Sequence, residues 1–305
     1  MYYVADLFNI NRLFQKFGGL HRSYQEKIMN LLNRKVSKTD QEFKALFIRQ
    51  KDLDRLLFRS YSGLLKILKM KELEELCLQQ YFKQKKSLTL CSEKINFWSP
   101  SYIQLVSEFN PFLSNLIIMQ NKFLEIVTNE ENPPNRPPLN LNTAIDKLDI
   151  YGFKSELVSA FKKYWTKSGA LVREYRNLEQ HYQTIIEHSF LQIEPDEKLV
   201  IYLPDNPNIR SIHQTTYNQH IEAIPFFERA FFDFHTLVEE IFSFLGYEST
   251  PIPQSCPMVE TELVKGKKRT FALMICDPVK CDGLEFIQTE DRKIIIQQLK
   301  TVVDS

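Results

Sequence analysis

A mainly α protein, a helical bundle with a small α/β region at its C-terminal end, is the fold class this sequence predicts, and three observations predict it. Eight glycines in 305 residues leave few places where a positive φ costs little, so tight turns must be sparse and helices long. Apolar residues recur at helical spacing through the first two-thirds of the chain. Residue types that favour strands gather after about residue 190.

The elements follow in order. After a break expected at Gly18-Gly19, Tyr24, Ile28, Leu31 and Leu32 form an i, i+4, i+7, i+8 stripe. Thr39 and Glu42 make a capping-box pattern that opens a long helix. Its apolar face runs through Phe43, Leu46, Phe47, Leu57, Leu64 and Leu68 and fades into the basic run YFKQKK. Ser99-Pro100 reads as N-cap and first helical position, and Pro111 as a break or kink before FLSNLIIMQNKFLEIV. The segment NEENPPNRPPLNLN, with four prolines in six positions, forbids helix. It marks either a boundary between two helical regions or a long surface loop within one bundle.

Beyond it, Leu157, Phe161, Tyr164, Leu171, Tyr175, Leu178, Tyr182 and Ile185 predict a helix from about Lys154 to His188, bent at Gly169. Extended stretches LQI and KLVIYLP come next. A second long helix is expected from Thr216 to Leu245, kinked at Pro225 and closed by Gly246. The tail reads as a hairpin turning near Gly266, a strand LEFIQ and a terminal helix from Thr289. This gives three regions: an N-terminal helical region over 1–130, a helical domain over 143–246, and a small α/β tail over 247–305.

Composition narrows the function. Apolar residues at 43% and charged residues at 25% are ordinary for a globular protein, and a net charge of +1 argues against bulk electrostatic binding of nucleic acid. No charged segment precedes an apolar one at the start, and no run reaches the ~20 apolar residues that span a bilayer. Five scattered cysteines fit a reducing cytoplasm. Those signs predict a cytoplasmic protein without a membrane partner.

Chemistry concentrates in one place, the stretch LVREYRNLEQHY. Arg176, Asn177 and His181 put a guanidinium, an amide and an imidazole within two helical turns, a set able to hold a phosphate and move a proton without a metal. At about 100° per residue, Asn177 and His181 share a face, joined by Arg173 and continued by His188. This ridge lies off the Tyr175-Leu178-Tyr182 stripe, while Arg176 stands roughly 140° from His181. The plainer reading is an ordinary solvated helix face. Arg229 and His235 stand at the looser R-x5-H spacing, but His235 falls on an apolar stripe, so that pair reads as surface and core. Cys276 and Cys281 lack a second pair at metal spacing, and His213 and His220, seven apart, begin in a loop. The run Lys265 to Arg269 reads as a solvated hairpin tip. No phosphate-binding glycine loop and no H-E-x-x-H occurs.

The run R-N-x3-H at Arg176–His181 resembles the R-[N/D/H]-x3-H signature of HEPN domains, a helical family of RNA-processing and defence proteins. The resemblance covers the helices around 150–245 only. It implies a metal-independent RNA endonuclease without cofactor, in antiviral defence or a toxin–antitoxin system. In that scheme the RNA 2′-OH attacks phosphorus and leaves a cyclic phosphate. Arg176, Asn177 and His181 would be catalytic, with Arg173 and His188 as auxiliary RNA contacts. The implied partners are RNA, a second copy of the chain in a homodimer, and an antitoxin or regulatory protein. The alternative is a non-catalytic helical protein that binds RNA, a nucleotide or a protein, with the aromatic-rich FFERAFFDFHTLVEEIFSF as part of an interface.

Overall fold

The computed structural model describes residues 4–34, 40–85, 94–96, 98–181, 188–193, 196–209 and 212–247, with strands at 258–264, 267–272, 284–288 and 294–298. Helix α1 (Val4–Asn33) continues through Gly18-Gly19, where a break was expected. Glycine costs only about 1 kcal/mol in a helix interior. Burial of Tyr24 and Leu31 on the same helix offsets that cost. Helix α2 (Gln41–Lys85) is opened by Asp40, whose Oδ1 accepts from the Glu42 N–H at 2.8 Å. The expected cap, Thr39, lies outside the described residues. Phe43, Leu46, Leu57 and Leu64 are buried as expected, joined by Leu53, Leu56, Ile67 and Met70, whereas Phe47, expected in the core, is 44% exposed.

Helix α3 (Pro100–Ser107) starts as expected, with Ser99 accepting from the Tyr102 N–H at 3.2 Å. Helix α4 (Phe109–Glu131) begins two residues before Pro111, which therefore sits in a first turn that needs no N–H from it. The proline-rich stretch crosses to the one-turn helix α5 (Leu141–Ala144), which Asn140 caps by accepting from the Asn142 N–H. Helix α6 (Ser155–Tyr164) passes through a π-helical turn (Trp165–Gly169) into α7 (Ala170–His181).

A four-stranded antiparallel sheet follows in the order β1 (Lys94–Ile95), β2 (His188–Gln192), β3 (Lys198–Leu203), β4 (Ile221–Glu222). Two corrections belong here. His188 is the first residue of β2, paired with Tyr202, and does not extend the α7 ridge. Helix α8 (Ala223–Phe244) starts seven residues later than expected, so Pro225 is its third residue and kinks nothing. Gly246, at φ 80°, closes α8 as expected, donating to Ser243 O at 3.0 Å.

Residues Ser23–Tyr247 form one compact unit, with the proline-rich loop inside it. Its centre is aromatic. Phe123 of α4 meets Phe161 of α6 and Phe234 and Phe242 of α8, the last two edge-on at 5.8 and 5.6 Å. Helix α2 passes so close to α8 at Gly63 that a Cβ there would stand 2.7 Å from the Phe231 ring. Five of the seven phenylalanines of α8, Phe226, Phe227, Phe231, Phe234 and Phe242, are buried, while Phe232 and Phe244 are exposed. At one end Glu130 accepts hydrogen bonds from the Tyr24 and Tyr247 hydroxyls at 2.6 and 2.5 Å, with Arg49 at 3.6 Å. That carboxylate ties α1, α2 and α4 to the end of α8.

Met1–Arg22 and Glu248–Ser305 form a second unit. In it β5 (Met258–Val264) pairs antiparallel with β6 (Lys267–Ala272), and Gly266, where the turn was expected, lies outside the described residues. Strand β7 (Leu284–Gln288) is the expected LEFIQ strand. It pairs with β8 (Ile294–Gln298), where a helix from Thr289 was expected. Three consecutive isoleucines, β-branched and stiff at χ1, outweigh the helical spacing there. Cys276, Cys281 and Lys265 lie outside the described residues. No helix among the described residues is long and apolar enough to cross a membrane.

Candidate functional site on helix α7

The π turn decides which side chains α7 offers to solvent. Without it the stripe Leu157-Phe161-Tyr164 would continue to Leu171. The wider turn hands the core position to Val172, which is fully buried with Tyr175 and Leu178 following. The turn is held by Asp233 of α8, which accepts from the Lys167 ammonium at 2.7 Å and from the Ser168 hydroxyl. Gly169 is required in it, since a Cβ there would come within 2.9 Å of both the Trp165 and Tyr164 rings. The Tyr175 hydroxyl donates to Pro204 O at 2.8 Å, and its ring meets Phe226 edge-on. Helix α7 is therefore fixed in rotation by its buried side.

On that frame the polar residues take their places. Arg173 and Asn177 lie opposite the Val172-Tyr175-Leu178 stripe, and His181 is the exposed last residue of the helix. An imidazole in the last turn suits the negative end of the helix dipole. Arg176 lies on the flank, its Nη1 donating to Asn177 Oδ1 at 3.3 Å while its Nε is buried without a hydrogen-bond partner. Arg173 Nη1 reaches Asn140 Oδ1 at 3.4 Å.

Burial first, and then the neighbouring Arg176 cation, push the Arg173 pKa down. Among the described residues, no carboxylate forms an ion pair with either guanidinium. Two adjacent cations without a counter-charge make a place where an anion would relieve repulsion. Glu174, on the same helix, has its carboxyl pushed up by burial.

Of the residues singled out in the sequence, Arg173, Arg176, Asn177 and His181 share α7, and Arg176 touches Asn177. His188 stands apart on β2. Asn140 was not singled out; its signal was the N-cap pattern at the end of the proline-rich stretch. His235 is fully buried between Phe231 and Phe234, and Arg229 lies at the surface over the Phe226 ring at 5.5 Å. That pair is core and surface, as read. No protein-family model, no curated protein and no solved structure shows a significant match to this chain.

Proposed function

We propose that the protein is a metal-independent RNA endonuclease of HEPN type, working in the cytoplasm in antiviral defence or a toxin–antitoxin pair. The observation that carries this reading is the pair Arg173–Arg176, with no carboxylate ion-paired to either among the described residues, on one helix with Asn177 and His181. In the reaction the 2′-oxygen loses its proton and bonds to phosphorus. The bond from phosphorus to the 5′-oxygen breaks, and that oxygen takes up a proton. His181 moves the proton, and Arg176 stabilises charge on the pentavalent phosphate. Asn177 holds the guanidinium, a role its 3.3 Å contact supports. Arg173 contributes a second cation to the phosphate.

The roughly 140° between Arg176 and His181 leads to a homodimer. A two-fold axis beside α7 would bring Arg176 of one chain to His181 of the other. The same angle supports the second reading, a non-catalytic helical protein that binds RNA, a nucleotide or a regulatory protein. Cleavage of unstructured RNA by purified protein in EDTA separates them. The expected products carry a cyclic phosphate and a 5′-hydroxyl; an absolute need for Mg²⁺ sinks the mechanism. Mixing Arg176→Ala with His181→Ala protein should restore partial cleavage if sites are shared between chains.

A further inference from the structure

Amides, not carboxylates, hold both arginines of α7. The Arg173 Nη1 donates to Asn140 Oδ1 at 3.4 Å, and the Arg176 Nη1 to Asn177 Oδ1 at 3.3 Å. Other cations of the same unit are held differently. Arg49 pairs with Glu130, Arg55 and Lys122 with Asp52, and Lys154 with Glu131. A carboxylate aims a guanidinium and neutralises it; an amide oxygen aims it and leaves the charge in place. Both α7 guanidiniums are half-buried. Burial first, and then Arg176, lower the Arg173 pKa, so the two cations lie close enough to repel.

Asn140 stands at the end of the proline-rich loop, and that loop is fixed along its length. Asn132, at φ 49°, closes α4 by donating its N–H to Thr128 O at 2.9 Å. The Asn135 N–H donates to Tyr151 O at 3.2 Å. Pro134 packs against Gly152, at φ 91°, where a Cβ would stand 2.7 Å from the proline Cδ. At the far end the Leu141 N–H donates to Asn121 Oδ1 of α4 at 3.0 Å. Prolines hold φ near one value, so Asn140 is presented from a backbone already ordered. Its Oδ1 accepts twice, from the Asn142 N–H at 3.1 Å as the cap of α5, and from Arg173.

We infer that Arg173 and Arg176 clamp one phosphate of an RNA strand, and that Asn140 is the positioning residue that keeps Arg173 both aimed and charged. Guanidinium forks match the oxygens of a phosphate, and two adjacent cations lose their mutual repulsion when one binds. An aspartate at 140 would cap α5 equally well but would pair with Arg173 and cancel its charge. The proline-rich loop thereby becomes a wall of the α7 site. The inference rests on the endonuclease reading for its RNA, yet binding and cutting are separable.

The test is fluorescence anisotropy in EDTA with a labelled oligouridylate of about 12 nucleotides, between about 50 and 200 mM salt. His181→Ala protein is the host, so that the RNA is bound and left intact. Asn140→Asp keeps the cap and should melt with the host, yet bind roughly tenfold more weakly. Its slope of log K against log salt should shrink by about 0.7, the value for one phosphate on a single strand. Arg173→Ala should show the same loss and the same slope. Adding Asn140→Asp to Arg173→Ala should cost nothing further, because Asn140 acts through Arg173.

A fall in melting temperature for Asn140→Asp with an unchanged slope would make Asn140 a structural cap only and overturn its positioning role. A further loss of binding in the double variant would overturn it too. Equal affinity in host, Asn140→Asp and Arg173→Ala would overturn the clamp, as would a host that binds no oligouridylate. Cleavage is then read with His181 restored. Binding that follows these variants in a chain that cuts no RNA keeps the clamp and sinks the nuclease. Cleavage indifferent to Asn140→Asp and Arg173→Ala keeps the nuclease and sinks the clamp.

Discussion

Helices α7 and α8 each carry an arginine followed by a histidine, and the structure puts the two pairs to opposite uses. On α7, Arg176 and His181 are five apart, on the outer part of a helix whose buried side is Val172, Tyr175 and Leu178. On α8, Arg229 and His235 are six apart, and the histidine is fully buried against Phe231 and Phe234. The residue types are the same; the phase of each residue against its helix's apolar stripe differs. What marks α7 as a candidate site is a polar cluster outside the stripe, with two cations that no carboxylate pairs with among the described residues.

That contrast can be broken most directly at the arginines. Arg176→Ala should lower RNA cleavage by roughly 3 kcal/mol of transition-state stabilisation, on the order of a hundredfold, with little change in melting temperature. His235→Ala should do the reverse. Emptying a fully buried site beside two phenylalanines should cost roughly 2–4 kcal/mol of stability, read by urea unfolding, while cleavage per folded molecule stays at the parent level. Were Arg176→Ala to unfold the chain and His235→Ala to stop cleavage, the roles of the two helices would be exchanged.

A third contrast is in pH. The end of α8 is tied down by Glu130 accepting from Tyr24 and Tyr247. Burial first, then the hydrogen bond to Glu130, raise both phenol pKa values. A raised pKa gives stability that is complete below the unfolded value, about 10 for tyrosine, and lost as pH rises beyond it. The melting temperature should therefore fall above about pH 10, and less steeply in a Tyr24→Phe, Tyr247→Phe variant. The smallest effect belongs to Arg229→Ala. It removes an exposed guanidinium from the face of Phe226 and should change stability by less than about 1 kcal/mol, with cleavage unchanged.

Much of the helical frame was legible before the structure, because the apolar stripes and the Ser99-Pro100 start are local signals. Misreadings came where a local signal met a tertiary one. Gly18-Gly19 reads as a break, yet the helix continues because neighbouring residues are buried. Pro225 reads as a kink only if the helix begins more than a turn before it, whereas β4 holds Ile221–Glu222 and the helix starts at Ala223. His188 fell on the helical line from His181 by spacing alone. The period-two pattern His188-Phe190 against Ser189-Leu191 was the competing signal, and it prevails through pairing with β3. At the site, the types and spacing of Arg176, Asn177 and His181 were legible. The contribution of Asn140 was not, because it comes from a loop over thirty residues upstream.

The proposal that α7 carries the chemistry is tested most directly by His181→Ala, with cleavage in EDTA and thermal melting measured on the same preparation. An exposed imidazole at a helix end contributes little packing, so the variant should melt with the parent. It should release no cyclic-phosphate product from unstructured RNA under conditions where the parent does. A His181→Ala protein that melts like the parent and cuts RNA at the parent's rate would contradict the account.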